Sequence, residues 1–224
     1  MIKKLNVIVF SFLLLNVIQA QHLSIKFIES KLVTDQGVEF VGELKDSSND
    51  LYVFDNFNNE GFLYVNSKIY TLSNLNFNVK RNSIESRIDR DKNFIYKNTS
   101  IDSIKINGHF FKKIGNIFYE VLYENMDKQF LKKYDIKVKP GSFNRLDGST
   151  SKSKEELDYR YLIKLSGEYK MIELSKSDIL NFMKSEQKKD KLETYVKEER
   201  LSFKKEEDII KIMEFINKNP DLII

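Results

Sequence analysis

The chain of 224 residues contains no cysteine, and this absence excludes several kinds of protein. Without thiols it has no disulfide framework, no cysteine nucleophile and no acylated cysteine of the kind that anchors bacterial lipoproteins. Small exported proteins often depend on disulfides, so this fold must be stabilised by its hydrophobic core alone. Hydrophobic residues make up 41% of the sequence, which is enough for such a core.

Histidine and glycine are also scarce, with two and eight residues respectively. His22 lies near the N-terminus, and His109 follows a predicted turn. We expect His109 to be a half-buried structural residue, because no second histidine accompanies it to complete a metal site. A serine protease triad would need His109, and no nucleophile-elbow sequence accompanies it. The glycines are scattered and form no phosphate-binding loop. We therefore predict no catalytic residue, no cofactor and no metal site.

Charge of neither sign dominates the chain. Once the N-terminal Lys3 and Lys4 are set aside, 35 basic and 33 acidic residues remain, which does not favour a nucleic acid partner. The charge runs at residues 188–191 and 197–200 mix both signs. Such runs are typical of solvated helix faces and not of a membrane-binding helix, which is cationic on one side.

The N-terminus has the pattern of a secretory signal. Lys3 and Lys4 precede an apolar run at residues 7–18, and Ala20 offers a cleavage site. The alternative is a membrane anchor, but the run is shorter than the roughly 20 residues that a span needs. We predict a signal peptide at residues 1–20, no transmembrane span after its removal, and an exported protein that is periplasmic or extracellular.

Residues 104–123 give the clearest structural signal. Asn107-Gly108 lies between two apolar runs, and this dipeptide favours the type I′ turn of a hairpin because both turn residues need positive φ. A two-residue turn pairs Ile106 with His109 and Ile104 with Phe111. A third strand, with alternating apolar residues, follows Gly115-Asn116. We predict a β-meander of antiparallel strands built around this stretch, over residues 21–140.

Alternating apolar and polar residues predict further strands on both sides of this stretch. They lie at residues 23–27, 38–41, 62–65, 68–72, 75–79, 84–88, 93–96 and 134–138. A polar loop or linker is predicted at residues 141–158, and a hairpin at residues 159–174 turns over Ser166-Gly167.

Helical spacing begins after that hairpin. Ser175 can cap a first helix, residues 189–199 predict a weaker second one, and Ser202 can cap a third with Ile209, Ile212, Met213 and Ile216 on its apolar side. The hairpin and helices of residues 159–224 are expected to pack on the same domain as the meander. The fold class is α+β: an antiparallel β-meander, as a sheet, a roll or a partly open barrel, followed by two or three C-terminal helices.

Six blocks of the sequence are considered together: residues 61–70, 101–106, 118–123, 131–134, 161–174 and 201–208. They resemble a family of exported proteins of Bacteroidota (Flavobacteria-like). They follow the family's order after an export signal, and the resemblance extends over roughly residues 52–217. It implies a β-meander with C-terminal helices, and the family has no assigned activity or catalytic motif to carry over.

Carboxylate pairs and aromatic strand faces remain as candidate sites. Glu120 and Glu124, which alternation would place on one strand face, are the nearest candidates for a glycosidase pair, although a solvated face of like charges is the simpler interpretation. Strand tyrosines can bind sugars or peptides, but core packing is their default role. The tyrosines in question are Tyr119, Tyr123, Tyr159 and Tyr161.

Three functional hypotheses follow. The favoured one is a non-enzymatic binding or structural component of the bacterial envelope that binds an envelope component or a partner protein through its sheet. The second is a carbohydrate hydrolase that uses a carboxylate pair. The third is an assembly subunit whose edge strand pairs with another chain.

Overall fold

The computed structural model of the protein describes residues 25–28, 31–34, 39–46, 50–142, 148–165 and 167–223. The predicted signal peptide and His22 lie outside these residues. The strands are β1 (Ile25–Ile28), β2 (Lys31–Thr34), β3 (Glu39–Asp46), β4 (Gly61–Val65), β5 (Lys68–Leu72), β6 (Leu75–Asn78), β7 (Ser83–Arg87), β8 (Lys92–Tyr96), β9 (Ser103–Ile106), β10 (His109–Ile114), β11 (Ile117–Asn125), β12 (Lys128–Lys139), β13 (Lys154–Lys164) and β14 (Lys170–Ile172). The helices are α1 (Lys176–Leu180), α2 (Glu186–Glu198) and α3 (Glu206–Lys218), and short 3₁₀ turns lie at Asn98–Ser100 and Pro220–Leu222.

The strands form two antiparallel sheets, and strands followed by helices confirm the α+β class. One sheet has six strands in the order β1-β2-β3-β8-β7-β6, and the other has eight in the order β14-β13-β12-β11-β10-β9-β4-β5. The chain starts in the six-stranded sheet, leaves it for β4 and β5, returns for β6 to β8, and then completes the eight-stranded sheet. The meander is therefore interrupted by crossings between two open sheets.

The predicted hairpins form with the predicted register. Ile106 pairs with His109 and Ile104 with Phe111. Asn107 and Gly108 have φ of 49° and 86°, as a type I′ turn requires. Asn66-Ser67 makes the corresponding turn between β4 and β5. Asparagine tolerates the left-handed region better than most residues, which explains why these turns form with few glycines.

The first hydrophobic core lies between the two sheets. Apolar side chains of β6, β7 and β8 face those of β4, β9 and β10, and Phe77 stacks on Phe111 with ring centroids 5.3 Å apart. Leu63, Ile84 and Ile104 are fully buried in this core. Complete burial of one such side chain stabilises the fold by roughly 1.5–3 kcal/mol.

The second core lies between the helices and the other end of the same eight-stranded sheet. α3 packs on β11 and β12, and its predicted apolar residues Ile209, Ile212, Met213 and Ile216 are fully buried. They contact side chains of β12 and β13, including Phe130 and Ile163. The helices therefore cover the sheet instead of standing apart from it.

Three predicted boundaries are wrong. β13 begins at Lys154 and not at residue 159, because residues 154–158 belong to an eleven-residue ladder with β12. Their charged side chains made this segment resemble a loop. α2 begins at Glu186, where Ser185 caps it. α3 begins after Lys205 without a side-chain cap, because the hydroxyl of Ser202 accepts a bond from the nearby Lys204 amide instead. The predicted cap of α1 is confirmed, since Ser175 accepts from the amide of Asp178.

Candidate functional site: a polar seam and its groove

A strip of polar side chains separates the two cores on the covered face of the eight-stranded sheet. Glu120 of β11 pairs with Lys132 of β12, which pairs with Tyr161 of β13, so the three side chains lie side by side on one face. Three more side chains join them. We call the set the polar seam: His109, Glu120, Lys132, Tyr134, Tyr161 and Glu206.

Glu120 is the buried carboxylate of the seam and is only 5% exposed. One of its oxygens lies 2.5 Å from Nδ1 of His109, and the other accepts a 2.7 Å bond from the hydroxyl of Tyr134. His109 is half-exposed, and its ring meets Phe54 edge to face. The predicted half-buried histidine is therefore also the partner of a buried carboxylate.

Glu206 is the second carboxylate of the seam. It lies in the first turn of α3 and accepts bonds from Nζ of Lys132 at 2.8 Å and from the hydroxyl of Tyr161 at 2.5 Å. A negative charge is favourable in the first turn of a helix. Glu206 thus joins the helical layer to the sheet at the point where the two cores meet.

The tyrosines of the seam are held in their neutral form. Burial, followed by the charge of Glu120 and the hydrogen bond to it, raises the pKa of Tyr134 far above its ordinary value. Burial and the hydrogen bond to Glu206 raise the pKa of Tyr161 in the same way. Both hydroxyls therefore remain donors over the whole physiological range.

A groove of about 740 Å³ opens from the seam to solvent. Its floor is one face of β13, with Leu157, Tyr159 and Tyr161, and its walls are residues 173–174 and 204–207. Tyr159 is 49% exposed and Leu157 is 39% exposed. Nζ of Lys132 lies 4.4 Å from the ring centroid of Tyr159, a cation–π distance that holds the ring in place. The groove therefore offers a fixed aromatic floor between charged rims.

The predicted carboxylate pair does not form. A β-bulge between Val121 and Tyr123 shifts the register of β11, so that Glu120 stands opposite Lys132 and Glu124 stands opposite Gln129. Residues 129 and 132 of the regular strand β12 point to opposite faces, and so do Glu120 and Glu124. The expectation of a shared face is wrong because an extra residue in one strand reverses the alternation.

Glu124 lies on the outer face with partners of its own. It accepts a 2.7 Å bond from Nζ of Lys112 and another from the side-chain amide of Gln129. Although burial raises the pKa of Glu124, these two bonds outweigh it and lower the pKa. Glu124 therefore forms an ion pair on the outer surface of the sheet.

A second polar cluster lies on the outer face of the six-stranded sheet. Glu85 is fully buried there and accepts bonds from Arg81 at 2.8 Å and from the hydroxyl of Tyr52 at 2.9 Å. Arg81 also forms two bonds, of 2.8 and 2.7 Å, with Asp50. We call this cluster the Glu85 network: Asp50, Tyr52, Arg81, Ser83, Glu85 and Asn93.

Sequence reasoning named some members of the seam and missed others. It named Glu120, His109 and Tyr161 of the seam, and Tyr159 of the groove floor, but as separate features. Lys132 and the role of Glu206 were missed. Alternation placed Tyr134 on a strand, and the same pattern extended back by two residues puts Lys132 on its face. No local pattern brings Glu206 to Lys132, which is 74 residues away in the chain.

Two further features of the described residues concern metal ligands and membrane-spanning helices. No three histidine, aspartate or glutamate side chains in the described part of the chain form a group that could hold a metal ion. Within those ranges no helix is both long enough and apolar enough to cross a membrane.

The chain matches no protein-family model, no curated protein and no solved structure. The resemblance to the exported Bacteroidota family therefore depends on the sequence blocks alone.

Proposed function

We propose that the protein is an exported, non-enzymatic binding component of the bacterial envelope and that it binds through the groove. The observation that carries this proposal is the exposure of Leu157 and Tyr159 on the floor of a groove in which the carboxylate of Glu206 already has two hydrogen-bond donors. Exposed apolar groups between polar rims are the common form of an interaction site.

The partners of the two carboxylates support binding over catalysis. Glu206 accepts from a cation and a phenol, and Glu120 accepts from His109 and Tyr134. A general acid or base must be within hydrogen-bonding reach of the substrate. Carboxylates that hold the sheet and α3 together are suited to fixing the shape of the groove.

Co-sedimentation of the purified protein with isolated envelope fractions tests this proposal. Tyr159→Ala should reduce the bound fraction several-fold, because it removes the ring at the centre of the floor. Tyr119→Ala is the matched control, since Tyr119 is a partly buried strand tyrosine on the other face of the sheet. Equal loss in both variants would contradict binding through the groove.

Export is tested separately, by mass spectrometry of the N-terminus after cell fractionation. A form that begins at Gln21 in the periplasm or the medium is expected. A form that begins at Met1 in the inner membrane would contradict export and indicate an anchored protein.

The second candidate function is hydrolysis of a carbohydrate, and the location of Glu206 favours it. Glu206 lines the groove, and Glu120 lies in the same seam. Turnover of envelope glycans that is lost in both Glu206→Gln and Glu120→Gln, with folding retained, would replace the binding proposal. Absence of turnover with intact envelope binding would exclude the hydrolase.

A further inference from the structure

β13 is paired on one side along its whole length and on the other side over three residues only. β12 pairs with all eleven residues from Lys154 to Lys164, whereas β14 pairs only with Tyr161, Leu162 and Ile163. The ladder with β14 stops after Ile172, because the chain turns, with the amide of Ser175 donating to the carbonyl of Glu173 at 2.8 Å, and then enters α1. Among the residues that the structure describes, no strand pairs with residues 154–160 on this side, so that they form a free sheet edge.

The register identifies the backbone groups that are free. Asn125 and Lys128 flank the two-residue turn between β11 and β12, so they exchange hydrogen bonds with each other. Even-numbered residues of β12 therefore bond to β11, and odd-numbered residues bond to β13. Because odd residues of β12 pair with even residues of β13, the N–H and C=O groups of Glu155, Leu157 and Tyr159 point away from β12. Within the described residues, no other backbone group bonds to them.

The groove lies along this free edge. Its lining includes Leu157, Asp158 and Tyr159 of β13 and also Glu173 and Leu174, which would face β13 if β14 continued. The groove thus occupies the place of a missing strand. The side chains of Leu157 and Tyr159 project into it from the residues whose backbone groups are free.

We propose that an extended segment of another polypeptide binds in the groove as an added antiparallel strand beside residues 154–160, with apolar side chains at alternate positions. This inference rests on the proposed binding function and names its partner as a protein. An extended peptide backbone matches the spacing of the free groups, and alternate side chains reach Leu157 and Tyr159. An open edge of this kind is a template for strand addition.

The charges of the edge argue against a second copy of this chain as the partner. Symmetric antiparallel pairing centred on Leu157 would set Lys154 opposite Arg160 and Glu156 opposite Asp158. Pairing centred on Glu156 or Asp158 would set that carboxylate against its own copy. Like charges directly opposite each other destabilise a strand pair, so the edge favours a different sequence.

The probe is a synthetic seven-residue peptide with valine at alternate positions and threonine or lysine between them. Hydrogen exchange followed by NMR measures the protection of each amide in the full chain. Bound peptide should slow exchange at Glu155, Leu157 and Tyr159 and leave the amides of Glu156 and Asp158 unchanged, since those already bond to β12. A peptide with N-methyl groups on its valines should not bind, whereas N-methyl groups on the intervening residues should be tolerated.

Two variants at position 157 distinguish the contribution of the backbone N–H to peptide binding from that of the side chain. Leu157→Pro removes a free N–H without breaking the β12 ladder, which is where proline is tolerated in a sheet. It should weaken peptide binding about tenfold or more, a loss of about 1.4 kcal/mol. Leu157→Ala keeps the N–H and should have a smaller effect. Equal binding of the N-methylvaline peptide, or no added protection at the three amides, would overturn the proposal.

The same experiment distinguishes this inference from the proposed function. If the protein turns over an envelope glycan, the binding function is contradicted, while protection of the three amides still supports strand addition. If envelope binding is sensitive to Tyr159→Ala and the amides stay unprotected, the groove binds its ligand by another mode and only this inference fails.

Discussion

The Glu85 network and the polar seam are built from similar parts but differ in their cover. Each places a buried glutamate on a sheet face and gives it a tyrosine hydroxyl and a nitrogen donor. The Glu85 network is closed, because Arg81 and Tyr52 contact its glutamate, which is fully buried. The seam opens into a groove floored by half-exposed Tyr159. Both regions contain a buried polar cluster, so the cluster alone does not mark a binding site. What distinguishes the seam is that solvent reaches it through the groove.

The two regions should therefore respond differently to substitution. A closed network of charges is destabilised strongly when one partner is removed, because the others remain buried without compensation. Tyr159 on the groove floor contributes little to the fold, because it is exposed for half its surface.

Arg81→Met should lower the free energy of unfolding by about 3 kcal/mol, because it leaves Glu85 and Asp50 buried without their cation. Chemical denaturation measures this change. The neighbouring Lys80→Met is the control, since Lys80 pairs with Glu155 at the surface and should change stability by less than about 1 kcal/mol. Similar losses in the two variants would remove the distinction between a buried network and a surface pair.

Glu120→Gln should lower the free energy of unfolding by about 1–2 kcal/mol, because one of the two donors loses its acceptor. Adding Tyr134→Phe removes one donor as well. A double-mutant cycle should therefore give a combined loss smaller than the sum of the single losses. Full additivity would show that Glu120 and Tyr134 do not depend on each other.

Alkaline titration should reveal tyrosines of both regions that do not ionise while the protein is folded. Burial is the largest cause that raises the pKa of Tyr52 in the network and of Tyr134 in the seam, and the charge of the nearby glutamate is the second largest. Since the folded pKa lies above the unfolded value of about 10, the stability they add is complete below about pH 10 and is lost as the pH rises beyond it.

The ultraviolet absorbance of tyrosinate measures this titration. These groups should ionise only as the protein unfolds, and circular dichroism measures that unfolding. Tyr52→Phe and Tyr134→Phe should each remove one group from that late phase. If all the tyrosines ionise in one early step before the fold is lost, the hydroxyls are not held as described.

Tyr159→Ala should have the smallest effect on the fold, within about 0.5 kcal/mol, while it weakens envelope binding. Its profile is the reverse of that of Arg81→Met, which should leave the binding of the folded protein intact. Thermal unfolding and co-sedimentation on the same preparations measure both properties. A large loss of stability in Tyr159→Ala would mean that its ring belongs to the core.

Local signals in the sequence predicted much of the fold. The turn at Asn107-Gly108, the alternation at residues 75–79 and the apolar spacing of α3 each follow from neighbours in the chain. The division into two sheets was not predicted, because alternation identifies a strand without identifying its partner. The start of β13 was missed because its charged residues resemble a loop.

The candidate site was less predictable than the fold. The sequence pattern singled out Glu120 together with Glu124, but Glu124 lies on the other face because of a bulge that no pattern in β11 reveals. Glu206 reaches Lys132 only because α3 packs on the sheet. The free edge of β13 depends on where β14 ends, and β14 ends where the chain turns away to enter α1.

The crossings of the chain between the two sheets also bear on how the protein folds. Strands β9 to β13 pair with their immediate neighbours in the chain, whereas β3 pairs with β8 across a hairpin that belongs to the other sheet. Local contacts form early and contacts that close long loops form late. We therefore expect β9 to β13 to assemble first as a platform for α3, and the closure of β3 on β8 to limit the folding rate.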